Sequence, residues 1–146
     1  MKYFHYMTVE VFVHATEEKE KVVEAVRNIL GEDAFSASSF EETYAEGYHK
    51  NPIGILRWTL RSSSRAGSVL KRVMEEVGEE LFTQIEDRVD DEGVLHIRLD
   101  KMKAYRGEIA LARGREPVVL RFKIASYPRG REGAVRTLRR FIGPDG

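Results

Sequence analysis

The segment from Arg98 to Arg140 carries the side chains that most clearly indicate a chemistry. It contains thirteen lysine and arginine residues against four acidic residues. The whole chain has 24 basic and 24 acidic residues, so the remainder is acidic, above all between Glu75 and Glu92. Lysine and arginine bind phosphate groups, and a cluster of them is the electrostatic footprint of a nucleic-acid-binding surface. The segment therefore indicates a polyanionic ligand, although the net charge of the chain is zero.

The spacing of these cations predicts an elongated basic stripe. In the predicted strand 117–126, Arg121 and Lys123 point away from the apolar positions, because side chains alternate between the two faces of a strand. Arg98 is opposite the apolar side of its own predicted strand. Two Arg-Gly-Arg-Glu segments, 113–116 and 129–132, bracket strand 117–126 and would lie about 33 Å apart. A stripe of that length suits a phosphate backbone better than a small anion.

Other chemistries have little support in the sequence. The chain has no cysteine, which removes disulfides, thiolate metal sites and cysteine nucleophiles. His5 and His14 lie on opposite faces of one predicted strand, while His49 and His96 are isolated, so no metal site is predicted. Ser62–Ser64 are typical of a helix cap rather than of a nucleophile elbow. No phosphate-loop or dinucleotide fingerprint is present, so we predict a non-enzyme without a cofactor.

Length and composition predict one domain, residues 1–146. No secretory signal and no run of about 18 apolar residues are found, so a cytoplasmic protein without a membrane association is expected. The few side-chain amides, the lack of cysteine and a charged fraction of 33% are typical of a thermophile.

Hydrophobic periodicity predicts an α+β fold with a mainly antiparallel sheet and helices packed on one face, because strands cluster rather than alternate with helices. The predicted order is β-α-β-β-α-α-β-β-β-α. Thr16 is expected to cap the first helix, Gly31 to end it, and residues 32–39 to form a loop. The predicted strands are 3–14, 40–48, 53–60, 94–99, about 104–112, and 117–126.

Three motifs occur in order along the chain: His14–Glu17 (HATE), Gly47–Ile53 (GYHKNPI) and Arg98–Gly107 (RLDKMKAYRG). In these the chain resembles, over nearly its whole length, an archaeal family of predicted RNA-binding proteins associated with the exosome. The resemblance implies a fold like that of the ribosomal protein that binds 5S RNA, and it implies no catalytic residues. Lys50 stands where the family usually has glycine, and Met102 where it usually has glutamine. Lys50 leaves open any special backbone geometry in that turn.

We therefore predict a non-catalytic RNA-binding protein, an accessory to RNA processing or degradation with the exosome, or to ribosome assembly. Its cations would meet phosphates, while Tyr105 and Tyr127 would stack on unpaired bases. For His14, Asn51 and Asp100 a structural role and RNA contact remain equally open. The predicted RNA-binding residues are Arg98, Lys101, Lys103, Tyr105, Arg106, Arg113, Arg115, Arg121, Lys123, Tyr127, Arg129 and Arg131.

Two alternatives remain at this point. The basic surface could dock an acidic protein partner or the acidic helices of a second copy, which would make the chain an interaction module or a homodimer. A deep pocket lined by Tyr48, His49 and carboxylates would instead favour a small-molecule binder or an enzyme.

Overall fold

The structure, a computed structural model, describes residues 2–47, 51–114 and 116–143. These residues form five strands and five helices, and the α+β class predicted from the clustering of strands is confirmed. In chain order the elements are β1 (Phe4–Val13), α1 (Lys19–Ala37), β2 (Ser39–Glu46), β3 (Pro52–Leu60), α2 (Ser63–Thr83), α3 (Ile85–Arg88), β4 (Val94–Leu99), α4 (Lys101–Tyr105), β5 (Val118–Ile124) and α5 (Arg131–Ile142).

The strands form one antiparallel sheet in the order β2-β3-β1-β5-β4. Val9 of β1 lies opposite Trp58 of β3 on one side and opposite Leu120 of β5 on the other. Directly opposite residues of an antiparallel pair point to the same face of the sheet. The apolar residues of neighbouring strands therefore lie on a common face of the sheet.

Helices α1, α2 and α5 pack on that apolar face, and none of the described helices covers the other face. In α2, the apolar residues Ala66, Val69, Leu70 and Val73 recur at helical spacing and are all buried. Each large aliphatic or aromatic side chain buried in this layer contributes about 1.5–3 kcal/mol. None of the described helices has the combination of length and hydrophobicity that a membrane span requires. The sheet contributes Met7, Val9, Val11, Leu56, Trp58, Leu60, Leu95, Ile97, Leu99, Val118, Leu120 and Phe122 to the core.

The predicted strand at about 104–112 is wrong. Asp100 begins a short helix, α4, because its carboxylate accepts a hydrogen bond from the N–H group of Lys103 at 2.9 Å. In the described part of the segment that returns to β5 there is no strand, and an isolated bridge between Leu99 and Leu111 pairs it with β4. The observed order is therefore β-α-β-β-α-α-β-α-β-α.

The first helix also differs from its prediction at both ends. It begins at Lys19, and its N-cap residue Glu18 makes no side-chain capping hydrogen bond. Gly31, which was predicted to end the helix, interrupts it, because its φ of 81° is not helical. The helix then resumes to Ala37 instead of forming a loop, because Ala34 is buried and Phe35 packs beside Trp58 with ring centroids 6.0 Å apart.

Candidate nucleic-acid interface

The uncovered face of the sheet, called here the open face, holds three of the predicted cations. Arg121 of β5 lies opposite His96 of β4, and Arg98 of β4 lies opposite Val119 of β5. Lys123 follows Arg121 at the next position with the same orientation. The alternation in the sequence thus correctly places Arg98, Arg121 and Lys123 on the side opposite the core.

Sequence reasoning missed a fourth cation of this face. Arg57 of β3 lies opposite Glu10 of β1 and points away from the core residues Leu56 and Trp58. The alternation of apolar residues in β3 carried this signal, but Arg57 lies outside the basic C-terminal segment. The open face includes Tyr6, Thr8, Glu10, Phe12, Ser39, Glu41, Thr43, Ala45, Ile55, Arg57, Thr59, His96, Arg98, Val119, Arg121 and Lys123.

Glu10 lies between two arginines at the centre of the open face. Its Oε2 accepts hydrogen bonds from Nη2 and Nε of Arg57 at 2.6 and 3.2 Å. Its Oε1 lies 4.0 Å from Nη1 of Arg121. The hydrogen bond to Glu10 raises the pKa of Arg57 above its usual value. Because the Glu10 side chain is only 17% exposed while that of Arg57 is 46% exposed, the carboxylate orients the guanidinium but leaves it accessible to a ligand.

A hydrogen-bonded turn supports the edge of the open face beside β4. The Asp90 carboxylate accepts hydrogen bonds from the N–H groups of Glu92 and Val94 and lies 2.8 Å from Nε2 of His96. Burial acts to raise the pKa of Asp90, but the hydrogen bonds from His96 and the backbone outweigh it and lower the pKa below its usual value. Lys123 donates a hydrogen bond to the carbonyl of Glu92. These contacts fix His96 and Lys123 beside Arg121.

Helix α4 presents a second group of predicted residues at one end of the sheet. Lys103, Tyr105 and Arg106 are exposed there. The side-chain amide of Asn28 donates to the carbonyls of Ala104 and Tyr105 at 3.0 and 3.2 Å, which anchors the end of α4 to α1. The three exposed side chains are therefore presented from a fixed backbone.

Lys101, predicted to contact RNA, is instead turned into the protein. It is only 8% exposed. Its ammonium donates to the carbonyl of Phe12 at 3.0 Å and lies 3.0 Å from a carboxylate oxygen of Glu17. These bonds join α4 to the end of β1, so Lys101 has a structural role. Its partners lie more than eighty positions earlier in the chain, which explains why the sequence pattern could not identify them.

Around Lys101, the structure brings together a group with the geometry of metal ligands. One atom each of His14, Glu17 and Glu116 lie within 4.8 Å of one another. The ammonium of Lys101, 3.0 Å from Glu17 and 3.9 Å from Glu116, already supplies the positive charge there. Burial acts to raise the pKa of Glu17, but hydrogen bonds from the His14 N–H group and from Lys101 lower it overall. The arrangement fits an internal ion pair better than a cation site.

The family-like motifs also supply internal hydrogen bonds. The N–H group of His14 donates to Glu17 at 2.9 Å, and Asp100 caps α4. The backbone carbonyl of Asn51 accepts from the N–H group of Gly47 at 2.7 Å. For His14, Asn51 and Asp100, a structural role and RNA contact were equally open. Each of them has a structural contact. Tyr48, His49 and Lys50 lie outside the described residues. The small-molecule pocket considered for Tyr48 and His49 therefore also falls outside them.

The two Arg-Gly-Arg-Glu segments do not complete a single stripe. Arg113 is paired with Glu80 of α2 at 2.9 Å, and Arg131 donates to the carbonyl of Glu86 in α3. Tyr127, 97% exposed, and Arg129, also exposed, follow β5 at the opposite end of the sheet from α4. Arg115 lies outside the described residues. The predicted residues thus divide into the open face, α4, and the two ends of β5.

These features define a class: an open α+β sandwich of one antiparallel sheet and one helical layer, with arginine and lysine on the uncovered sheet face. The chain belongs to the family described as RNA binding, whose model matches residues 6–124. It is 31% identical to the RNA-binding protein PAB1135 of Pyrococcus abyssi over 143 residues, 94% of this chain and 93% of that protein.

Solved structures of related proteins have the same fold. The DUF54 protein Mth689 of Methanothermobacter thermautotrophicus is 34% identical and superposes with a TM-score of 0.81, covering 97% of this chain and 99% of that one. Protein AF2318 of Archaeglobus fulgidus is 33% identical with a TM-score of 0.82, covering 94% and 99%. The relatives named here come from archaea.

Proposed function

We propose that this protein binds RNA on the open face of its sheet. It would act as a non-catalytic accessory to RNA processing or degradation, including that by the exosome, or to ribosome assembly. The observation that carries the proposal is the placement of Arg57, Arg98, Arg121 and Lys123 on one uncovered sheet face in a chain of an RNA-binding family. A one-layer sheet leaves that face free for a ligand.

The mode of binding follows from the side chains on that face. Guanidinium and ammonium groups bind phosphate oxygens without reading sequence. Aromatic side chains on an exposed sheet can stack on the unpaired bases of single-stranded RNA. Tyr6 lies opposite Lys123, and Phe12 is 43% exposed near the other end of β1. Cations flanked by rings on a sheet suit an unpaired strand better than a duplex.

Residues at both ends of the sheet extend the proposed RNA-binding surface beyond the open face. Strands β1 and β4 run in the same direction, since both are antiparallel to β5, and α4 follows β4 directly. Lys103, Tyr105 and Arg106 therefore flank one end, while Tyr127 and Arg129 flank the other. We propose that RNA lying along the strands reaches both groups. Lys101 is buried, and Arg113 and Arg131 contact Glu80 of α2 and the carbonyl of Glu86 in α3, so these three are left out of this interface.

Salt dependence tests the proposal. Fluorescence anisotropy with a labelled single-stranded oligoribonucleotide at several salt concentrations gives the slope of log affinity against log salt. Four phosphate contacts predict a slope of roughly −2.8, because each contact on a single strand contributes roughly −0.7. The double substitution Arg121→Gln and Lys123→Gln should reduce the magnitude of the slope by about 1.4.

Arg136→Gln provides the matched control, since Arg136 is an exposed arginine of α5 on the helical side of the molecule. It should leave both the affinity and the slope unchanged. Equal effects of the control and the double substitution, or a slope near zero for the native chain, would contradict binding on the open face. A double variant that changes only the oligomeric state, measured by light scattering, would favour the alternative of a protein-docking surface.

A further inference from the structure

A basic cavity lies beside the sheet, at the end where β1 begins and β3 ends. Its volume is about 740 Å³, within the range of small-molecule sites. Three cations line it from three parts of the chain: Lys2 precedes β1, Arg61 follows β3, and Lys71 lies on α2. No carboxylate is among the lining residues that the structure describes. The cavity is therefore positively charged in a chain whose total charge is balanced.

The three cations have no carboxylate partner among residues 2–47, 51–114 and 116–143. Among the described residues, no ion pair involves Lys2, Arg61 or Lys71, whereas the nearby Arg57 and Arg65 pair with Glu10 and Asp33. Like charges lining one cavity repel each other, and an anion bound between them would relieve that repulsion. The missing counter-charge thus points to an anionic ligand rather than a cationic or neutral one.

The rest of the lining is preorganised by its own hydrogen bonds. The hydroxyl of Ser63 accepts from the N–H group of Phe4 at 3.1 Å, and that of Ser62 accepts from the N–H group of Arg65 at 3.2 Å. The hydroxyl of Ser68 donates to the carbonyl of Ser64 at 3.1 Å. The loop between β3 and α2 is thereby fixed to the start of β1, so Arg61 is presented from a rigid backbone.

Two aromatic rings give the cavity an apolar wall. Tyr3 and Phe141 stack edge to face with centroids 5.0 Å apart. The ammonium of Lys71 lies 5.4 Å from the centroid of the Phe141 ring. A Cβ atom at Gly67 would lie 3.1 Å from Cζ of Phe141, so the helix approaches this ring closely. Cations beside partly exposed rings can bind both the phosphate and the base of a nucleotide.

We propose that this cavity is a phosphate-binding site that takes the phosphate of a nucleotide. The phosphate would come either from the end of an RNA chain that crosses the open face or from a free mononucleotide. Both sources present the same chemistry to Lys2, Arg61 and Lys71. The site does not depend on RNA binding to the open face, because the cavity and its charges lie beyond the sheet residues that form that face.

The test is a titration of the full chain followed by amide NMR spectra. Inorganic phosphate and adenosine monophosphate are added at constant ionic strength, with chloride as the reference anion. Shifts confined to Lys2, Tyr3, Arg61–Lys71 and Phe141 are expected. Arg61→Gln and Lys71→Gln should each weaken phosphate binding roughly tenfold, the loss of one charge-assisted hydrogen bond. Arg65→Gln, on the same helix but outside the cavity, should not weaken it.

A second measurement separates the two sources. Oligoribonucleotides with a 5′-phosphate or a 5′-hydroxyl are compared on the native chain and on Arg61→Gln. A preference for the 5′-phosphate that disappears in the variant indicates the RNA end, and equal affinities with retained monophosphate binding indicate the free nucleotide. The proposal is overturned if neither phosphate nor monophosphate shifts the cavity resonances, or if Arg65→Gln weakens binding as much as Lys71→Gln. Arg121→Gln affects only the open face and so distinguishes failure of the RNA proposal from failure of this one.

Discussion

Glu10, at the centre of the open face, has two opposing effects there. It orients Arg57 through two hydrogen bonds and lies close to Arg121. It also places a negative charge where phosphates would bind. An ion pair between partly exposed groups contributes about 0–1 kcal/mol to stability, so Glu10 has more influence on ligand binding than on folding.

Glu10→Gln should therefore strengthen RNA binding. The amide retains a hydrogen-bond acceptor for Arg57 but removes the negative charge. We expect affinity for a single-stranded oligoribonucleotide to rise about two- to fivefold at low salt, which corresponds to about 0.5–1 kcal/mol of exposed electrostatics. Fluorescence anisotropy measures the change. The control is Glu132→Gln on α5, a similar substitution away from the open face. Weaker binding by Glu10→Gln would mean that orientation of Arg57 matters more than charge.

At this scale, the sequence predicted a residue's direction well and its partners poorly. Alternation placed Arg121 and Lys123 correctly, because a strand's two faces follow directly from its period. The same rule would have found Arg57. It could not reveal that Lys101 is buried against Glu17, because that contact depends on how distant segments fold together. The alternation of residues along a strand predicts which face a side chain points to. Whether a charged side chain is buried depends on the tertiary structure.

Among the elements, α4 shows most clearly how a local contact can override a periodic pattern. The strand predicted at about 104–112 overlaps the end of this helix. The Asp100 carboxylate nevertheless satisfies the N–H group of Lys103, and Asn28 satisfies two carbonyls at the other end of the helix. A helix of five residues, Lys101–Tyr105, gains little from propensity alone. Its two ends are fixed by these side chains and by packing on α1.

Replacement of the cap tests this account of α4. Asp100→Ala should lower the free energy of unfolding by about 1 kcal/mol, the usual effect of losing an N-cap side chain. Asp100→Ser, which can still cap the helix, should lower it less. Urea unfolding followed by circular dichroism measures both values. The matched control is Asp91→Ala, in the exposed turn before β4. Equal losses for Asp100→Ala and Asp100→Ser would show that the cap is not what stabilises α4.

At the scale of the molecule, folding redistributes the charge that the sequence separates. Arg113 and Arg139 of the basic segment pair with Glu80 and Glu86 of the acidic helices. Some of the excess cations between Arg98 and Arg140 are therefore paired within the protein, and not all of the excess is available to a ligand. The sheet order β2-β3-β1-β5-β4 determines which cations remain free, and that order depends on long-range pairing. The sequence predicted the fold class and the basic character, but it could not predict which cations share a surface.

The carboxylates of Glu17 and Asp90 link the stability of the whole fold to pH. The pKa of each is lowered in the folded chain, Glu17 by the His14 N–H group and Lys101, and Asp90 by His96 and backbone N–H groups, in both cases against the effect of burial. Each ionised carboxylate therefore stabilises the fold above its unfolded pKa. That contribution is lost as pH falls through the lower folded pKa, because the unfolded chain takes up protons first.

Glu17→Gln should remove the pH dependence that Glu17 supplies. At pH 7 the substitution should lower the free energy of unfolding by about 1 kcal/mol, because the buried Lys101 ammonium loses its charged partner. As pH falls below about 4, the native chain should lose this advantage and the two unfolding curves should converge. Urea unfolding at a series of pH values measures the difference. Glu18→Gln is the control, since Glu18 is exposed beside Glu17. A difference between native and Glu17→Gln that stays constant down to pH 3 would show that the Glu17 charge does not stabilise the junction of β1 and α4.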